Sequence, residues 1–322
     1  MTPTVVVATV SDSDRWQQLA ELSGCPSHRL CHGQALAASG LKPMLAAVIS
    51  SNAGWLVMPI YCRAWKGTVD IATIPCVSGA RCSGHATPLL EIWHDYARNQ
   101  GWICGYLQFD PLSNLDGVEG SRQGSAVWIH RLENDIEPLA DASKIIHRKI
   151  RKTAHAKANL EQDRNRLADA LCELYPESMK RVGAHPAYLY TDDSLRHWAL
   201  NQQNLVIGVS IEDCIAGIVV FLINGDDADF HIGAYSLAGR ACSAWLMNAA
   251  LEILNDSGIR SVNLGGGIAY GDGLYQFKQK LGGIEHHHAI ITQIYNQSIY
   301  LDLCSHLGGD LSTGRFPPYR PQ

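Results

Sequence analysis

Ser261-Val262-Asn263-Leu264-Gly265-Gly266-Gly267, followed by Gly271-Asp272-Gly273-Leu274-Tyr275-Gln276-Phe277-Lys278-Gln279-Lys280-Leu281-Gly282-Gly283, is the stretch on which the reading of this chain turns. A short apolar strand runs into three glycines, then into a short helix that carries Phe277 and Lys278 and ends on two more glycines. With no Cβ at its end, such a strand admits close approach to its backbone. An ordinary turn would use the same letters, so neighbouring elements must decide.

Upstream, residues 240–255 read as a helix that crosses back to this strand. Before it come strands at 205–211, 214–223 and 228–235, separated by the turn signals Glu212-Asp213 and Asn224-Gly225-Asp226-Asp227. Helices are expected at 162–181 and 193–202. The first half follows a similar plan: a strand at 5–10, a helix at 14–22 capped by Ser11 or Asp12, strands at 45–50, 54–61 and 68–74, a helix at 88–99, and strands at 103–109 and 127–130. Residues 23–44 read as a loop rich in Gly, Pro and His.

Bulk properties agree with two folded units. The 322 residues exceed the roughly 100–150 of a common single domain. An apolar share of 46% and a charged share of 18% describe a soluble globular chain. The longest apolar run, 215–223, is far below the roughly 18 residues that suggest a membrane span. The N-terminus lacks the basic lead-in of a signal peptide, so a cytoplasmic location is expected. The ten cysteines spread from Cys25 to Cys304 without a CxxC pair, which favours reduced thiols over a disulfide framework. A net charge of −5 excludes a generally basic, nucleic-acid-coating surface. One local basic run stands out: Lys144, His147, Arg148, Lys149, Arg151, Lys152, His155 and Lys157, on an expected helix over 141–157.

The glycine-ended strand and Phe-Lys helix resemble the C-terminal signature of the Fem family of aminoacyl-tRNA-dependent transferases, within the GNAT superfamily. Three further stretches are similar in order and spacing: Tyr175-Pro176-Glu177-Ser178-Met179-Lys180-Arg181 leading to Pro186-Ala187-Tyr188-Leu189-Tyr190, Leu107-Gln108-Phe109-Asp110-Pro111, and the basic run over 147–157. No heptad pattern supports the long helical arm of the larger members, so the chain resembles the short, armless type. Where the family often carries Tyr-Gly-Gly-Pro, this chain has Pro75-Cys76-Val77-Ser78-Gly79-Ala80-Arg81-Cys82-Ser83-Gly84, a departure that points to a different acceptor.

The resemblance implies an α/β fold of two GNAT-like lobes, each with a mixed central sheet flanked by helices. The expected boundaries are 1–143 for the first lobe, 144–160 for a basic inter-lobe helix, 161–294 for the second lobe, and 295–322 for a C-terminal segment packing back on the first. It further implies transfer of an aminoacyl group from aminoacyl-tRNA to an amine acceptor, a cell-wall precursor or a small peptide-like natural product. That chemistry needs no cofactor and no metal, and the partners are the charged tRNA and the amine. The alternative is an acyl-CoA-dependent GNAT N-acyltransferase. Against it, Ser236-Leu237-Ala238-Gly239-Arg240-Ala241-Cys242-Ser243-Ala244 has one glycine and no clean pyrophosphate cradle.

Lys278 is the expected catalytic cation, set against the bland reading of a solvated helix face. Asp110, also a catalytic candidate, either accepts a proton from the attacking ammonium or caps an Asx turn before Pro111. Phe277 either stacks on the terminal adenine, holds Lys278 by a cation–π contact, or fills a core. Gly265, Gly266 and Gly267 offer open backbone, and Tyr188, Tyr190 and Tyr275 offer phenols for substrate binding. Arg148, Lys149, Arg151 and Lys152 are the expected tRNA-binding residues. His286 and His288 share a strand face, but two ligands do not make a metal site.

Overall fold

The computed structural model describes residues 3–115, 117–133, 136–154, 158–267, 269–306 and 315–320. Its first part runs β1 (Thr4–Thr9), α1 (Ser13–Ser23), α2 (Leu30–Ala38), β2 (Pro43–Ser50), β3 (Gly54–Trp65), β4 (Thr68–Thr73), β5 (Arg81–Gly84), α3 (Ala86–Asn99), β6 (Cys104–Phe109) and β7 (Arg122–Arg131). Its second part runs α4 (Lys144–Ala154), β8 (Asn159–Glu161), α5 (Arg164–Val182), α6 (Asp192–Leu200), β9 (Leu205–Ile211), β10 (Cys214–Asn224), β11 (Asp227–Tyr235), α7 (Ser243–Asp256), β12 (Ser261–Asn263), α8 (Gly273–Leu281), β13 (Ile284–Ile294) and α9 (Gln297–His306).

The two parts form GNAT-like α/β lobes, and their sheets join. A single 13-stranded sheet has the order β1-β2-β3-β4-β6-β13-β7-β12-β11-β10-β9-β8, with β5 paired to β3. The join is made by exchange: β13, from the second part, pairs antiparallel with both β6 and β7, while β7, from the first, pairs with β12. Two parallel pairs, β4 with β6 and β11 with β12, mark equivalent places in the two lobes. Each is a helix crossover, because α3 and α7 supply the connection that a parallel pair demands.

The turns between β9, β10 and β11 follow the sequence: Glu212 and Asp213 both take positive φ, as a two-residue hairpin requires, and so does Gly225. Residues 23–44 depart from the expected loop, since α2 occupies 30–38. Gly33 explains it: a Cβ there would lie 2.6 Å from the Trp16 ring, so the glycine lets α2 press onto α1. The helix then presents Ala35 and Leu36 to a core that also contains Ile74, Leu171, Trp198 and Val220, packing the two lobes against each other.

The C-terminal residues return to the first lobe. Asp70 is buried and pairs with Arg63 (2.6 Å) and Arg320 (2.7 Å), and it accepts a hydrogen bond from the Tyr319 hydroxyl (3.0 Å). Among the described residues, no helix is long and apolar enough to cross a membrane.

Candidate active site between the lobes

The parallel pairing of β11 and β12 stops at Asp229 and Asn263. Beyond it the strands part: β11 continues to Tyr235, while the other chain turns away through Leu264 and the three glycines. At the apex β11 carries a bulge, for Val220 pairs with Ile232 and Phe221 with Phe230, leaving His231 as the extra residue. Bulge and splay together open a wedge in the sheet.

Lys278 enters this wedge from α8. It is 5% exposed, its Nζ donates to Gly266 O at 2.8 Å, and it stands 5.3 Å from the Phe230 ring centroid. Burial draws its ammonium down to about 7, against a smaller opposing pull from Asp272. The bland reading of a solvated helix face does not hold, since Lys278 is buried. Its aromatic neighbour also differs. Phe230 lies beneath the ammonium, whereas Phe277 packs against the core formed by α7, β12 and α8.

The three glycines have reasons within the protein. Gly265 takes φ +68°, and a Cβ there would lie 3.1 Å from Val77 and 3.3 Å from Lys278 Nζ. At Gly266 a Cβ would lie 2.0 Å from Ala126 O on β7, and at Gly267 2.4 Å from Asp272 Oδ1. The close approach is made by neighbouring protein segments. Asn263 completes the turn, accepting from Gly265 N (2.8 Å) and donating to Val77 O (3.1 Å).

Asp110 is 3% exposed; its Oδ2 pairs with Arg81 (3.1 Å) and its Oδ1 accepts from Leu112 N (2.8 Å). The Asx-turn alternative describes this geometry, and both carboxylate oxygens are engaged within the protein. Tyr275 is buried too, donating to Glu285 (3.0 Å) and meeting Trp128 edge-on. Tyr190 stacks on Tyr175 and meets Trp198 edge-on at 4.7 Å. Tyr188 is the one of the three tyrosines that stays open, at 47% exposure, and its electrostatic neighbours include Cys76, Tyr61 and Tyr106 of the first lobe.

Segment 74–80, between β4 and β5, lies between these places. Cys76 is on the tyrosine side, Val77 meets Gly265 and Asn263, and Ser78 reaches the buried carboxylate of Asp229. Arg81, next along, bridges Asp110 of its own lobe and Asp227 of the other. From sequence, Asp227 reads only as a turn residue and Ser78 only as part of the stretch 75–84, while Asp229 and Phe230 go unremarked. Asp229 had a signal, being a carboxylate inside an otherwise buried strand; Ser78 had none.

The amphipathic helix α4 packs against α7, the turn before it, and α8. Ile146 and Thr153 are buried; Thr153 Oγ1 approaches Ala241 O (3.5 Å) in the turn before α7, and Ser143 N donates to Lys280 O at the end of α8 (2.9 Å). The opposite face exposes Lys144, Arg148, Lys149, Arg151 and Lys152, and none of these forms an ion pair among the described residues. His155 and Lys157 lie outside the described residues. A separate cavity of about 460 Å³, lined by Ser50, Asn52, His85, Thr87 and Asn114, shares none of these groups.

No protein-family model matches the chain, and no curated protein sequence does. Solved structures do match in fold. FemX superposes with a TM-score of 0.66 at 12% identity, covering 92% of this chain and 99% of that one. L-PGS from Bacillus licheniformis gives 0.56 at 13% identity over 90% of this chain and 94% of its own. A tandem GNAT protein from the clavulanic acid biosynthesis pathway gives 0.50 at 13% identity, over 91% and 99%. At such identities the likeness defines the class of fold, a two-lobed GNAT-like chain, and the chemistry must rest on the residues.

Proposed function

We propose that this chain is an acyltransferase that moves an aminoacyl group from aminoacyl-tRNA to an amine, forming an amide, in the cytoplasm where the donor is found. The observation that carries the reading is Lys278. An amine buried at the point where two parallel strands part, held among the described residues by one carbonyl and a ring, is costly to the fold at neutral pH. Its retention there is better explained by chemistry than by packing.

The acceptor nitrogen attacks the ester carbonyl, a tetrahedral intermediate forms, and the 3′-terminal ribose hydroxyl departs. Lys278 in its neutral form takes the proton that the attacking nitrogen loses and returns it to the leaving ribose oxygen, a role suited to a group that titrates near neutrality. Lys278 is thus a catalytic residue in this proposal. Tyr188, at the inter-lobe cleft, is assigned to the acceptor. The exposed cations of α4 are assigned to the phosphates of the acceptor stem. FemX-like architecture agrees with this reading at the level of fold.

Two observations weigh against an acyl-CoA donor in the second lobe. Gly239, the one glycine of the turn before α7, is needed for packing, since a Cβ would lie 1.8 Å from Ala216 O. In that same turn the amides of Gly239, Arg240, Ala241 and Ser243 already donate to Ser236 Oγ, Ser236 O, Ala238 O and Arg240 O, so they are not free to cradle a pyrophosphate.

The test is transfer itself. Purified protein is incubated with radiolabelled aminoacyl-tRNAs and an amine-containing cell extract, with and without ribonuclease pretreatment of the donor. Label should pass to an alkali-stable amide product only from intact tRNA. Transfer that survives ribonuclease removes tRNA as donor; a Lys278→Met variant with full activity removes the assigned mechanism.

A further inference from the structure

Asp229 is 2% exposed, on β11 at the last residue before the wedge. Ser27 Oγ lies 2.5 Å from its Oδ2, and Ser78 Oγ lies 2.8 Å from both carboxylate oxygens. It forms no ion pair among the described residues, because the guanidinium of Arg81 is committed to Asp110 and Asp227. Both serines come from the first lobe, Ser27 from a 3-10 turn (Pro26–His28) and Ser78 from segment 74–80. A single acidic side chain of the second lobe therefore ties down the segment whose Val77 meets Asn263 and Gly265 beside Lys278.

We propose that Asp229 is a positioning residue whose bound proton holds segment 75–79 against the glycine-ended strand, so that loss of the proton loosens the base of the cleft. Both serine hydroxyls can donate to the carboxyl, but a buried group with no cation of its own favours the neutral acid, whose proton either serine oxygen can turn to accept. A carboxylate there is cut off from water and is met by those two hydroxyls without a paired cation.

Burial raises the Asp229 carboxyl to about 7, a rise that the two serine hydroxyls oppose, that the charge of Asp110 adds to, and that Arg81 lessens. The other titratable groups around it are the buried thiol of Cys25, the thiol of Cys76, and His28, whose Nε2 contacts Gly79 O. When segment 75–79 swings out, the carboxyl regains water and its ordinary acidity. The closed form thus binds the proton more tightly than the open one. Opening becomes easier as pH rises from the ordinary carboxyl range towards 7, and levels off above. His28, drawn down by burial to about 3, acts in the opposite sense, because its charging at low pH favours the open form.

The experiment is native-state hydrogen exchange of amides 76–80 in the full chain from pH 5 to 8, corrected for intrinsic rates, for wild type and Asp229→Asn. The amide is a permanently neutral isostere, and His28 cancels in the ratio of the two proteins. Protection in the variant divided by protection in wild type should rise about tenfold per pH unit to near 7 and then level. A ratio that stays constant overturns the proposal. So do equal exchange rates for 76–80 and the central strand β10, which would mean global unfolding instead of a local release. Ser78→Ala gives a second, independent reading: removing a hydroxyl that favours the carboxylate should move the levelling point to higher pH, and an unmoved point excludes Ser78 from the device. None of these measurements needs an acyl donor, so they stand apart from the transferase assignment.

Discussion

Lys278 Nζ lies 2.8 Å from the carbonyl oxygen of Gly266 and 5.3 Å from the centroid of the Phe230 ring, inside the wedge where β11 and β12 diverge. Because the folded chain prefers this amine neutral, the unfolded chain holds more protons between about pH 7 and the ordinary lysine range. Folding stability contributed here therefore rises with pH across that window and is lost as pH falls through 7. Lys278→Met keeps the length and removes the charge. It should raise the Tm at pH 7 by a few degrees, flatten the pH dependence above 7, and abolish transfer. Thermal melts and transfer assays on one sample check both; a variant that is destabilised at pH 7 would show that the amine is structural.

Phe230 is predicted to matter through the same lysine. Phe230→Leu removes the ring that attracts the protonated ammonium, and such a contact is worth up to about 2 kcal/mol where water is excluded. The proton should then leave Lys278 more easily, and the acidic limb of the pH–rate profile should shift towards lower pH. Profiles measured side by side decide it.

For α4 the expected outcome concerns salt. Arg148→Glu with Lys152→Glu should weaken tRNA binding at least tenfold at low ionic strength and reduce the slope of log affinity against log salt, since each neutralised phosphate contributes about 0.7–0.9 to that slope. Fluorescence anisotropy across a salt series measures both. An unchanged slope would leave α4 as a solvated connecting helix.

Gly266 tests the packing of the strand end. Adding a methyl group with Gly266→Ala drives a Cβ to 2.0 Å from Ala126 O, a backbone atom of the central sheet that has little room to move. A loss of about 1–3 kcal/mol or more is expected by chemical denaturation. Gly273→Ala, where a Cβ would meet nothing within 4 Å, is the matched control and should change stability little.

Local patterns carried much of the fold. Period-two strands, the Glu212-Asp213 and Asn224–Asp227 turns, and the apolar spacing of α3 and α7 place those elements within a few residues of their observed ends. Helix α2 was missed because its decisive partner, Trp16, sits on another element, and Gly33 looks like a loop residue until that ring is seen against it. Joining of the lobe sheets through β7 and β13 depends on pairing between distant strands, which no local window contains. At the site, sequence brought Lys278 and the glycines to notice and left Phe277 open between stacking on a base, holding Lys278 and filling a core; Phe277 packs on a core, and the ring near Lys278 is Phe230 of β11, which no local window brings to it. Asp110 was singled out for its place before proline, and its pairing with Arg81 is a long-range fact of the same kind.

The exchange that joins the sheet also constrains how the chain is made. Strands β6 and β7 leave the ribosome more than 150 residues before the strand that belongs between them, residues 284–294. Until then two open edges face each other across a gap at the middle of the molecule, unsatisfied and prone to capture a foreign strand. Nascent chains stalled before residue 284 are therefore the species open to such capture, and the emergence of 284–294 is itself the event that seals the sheet.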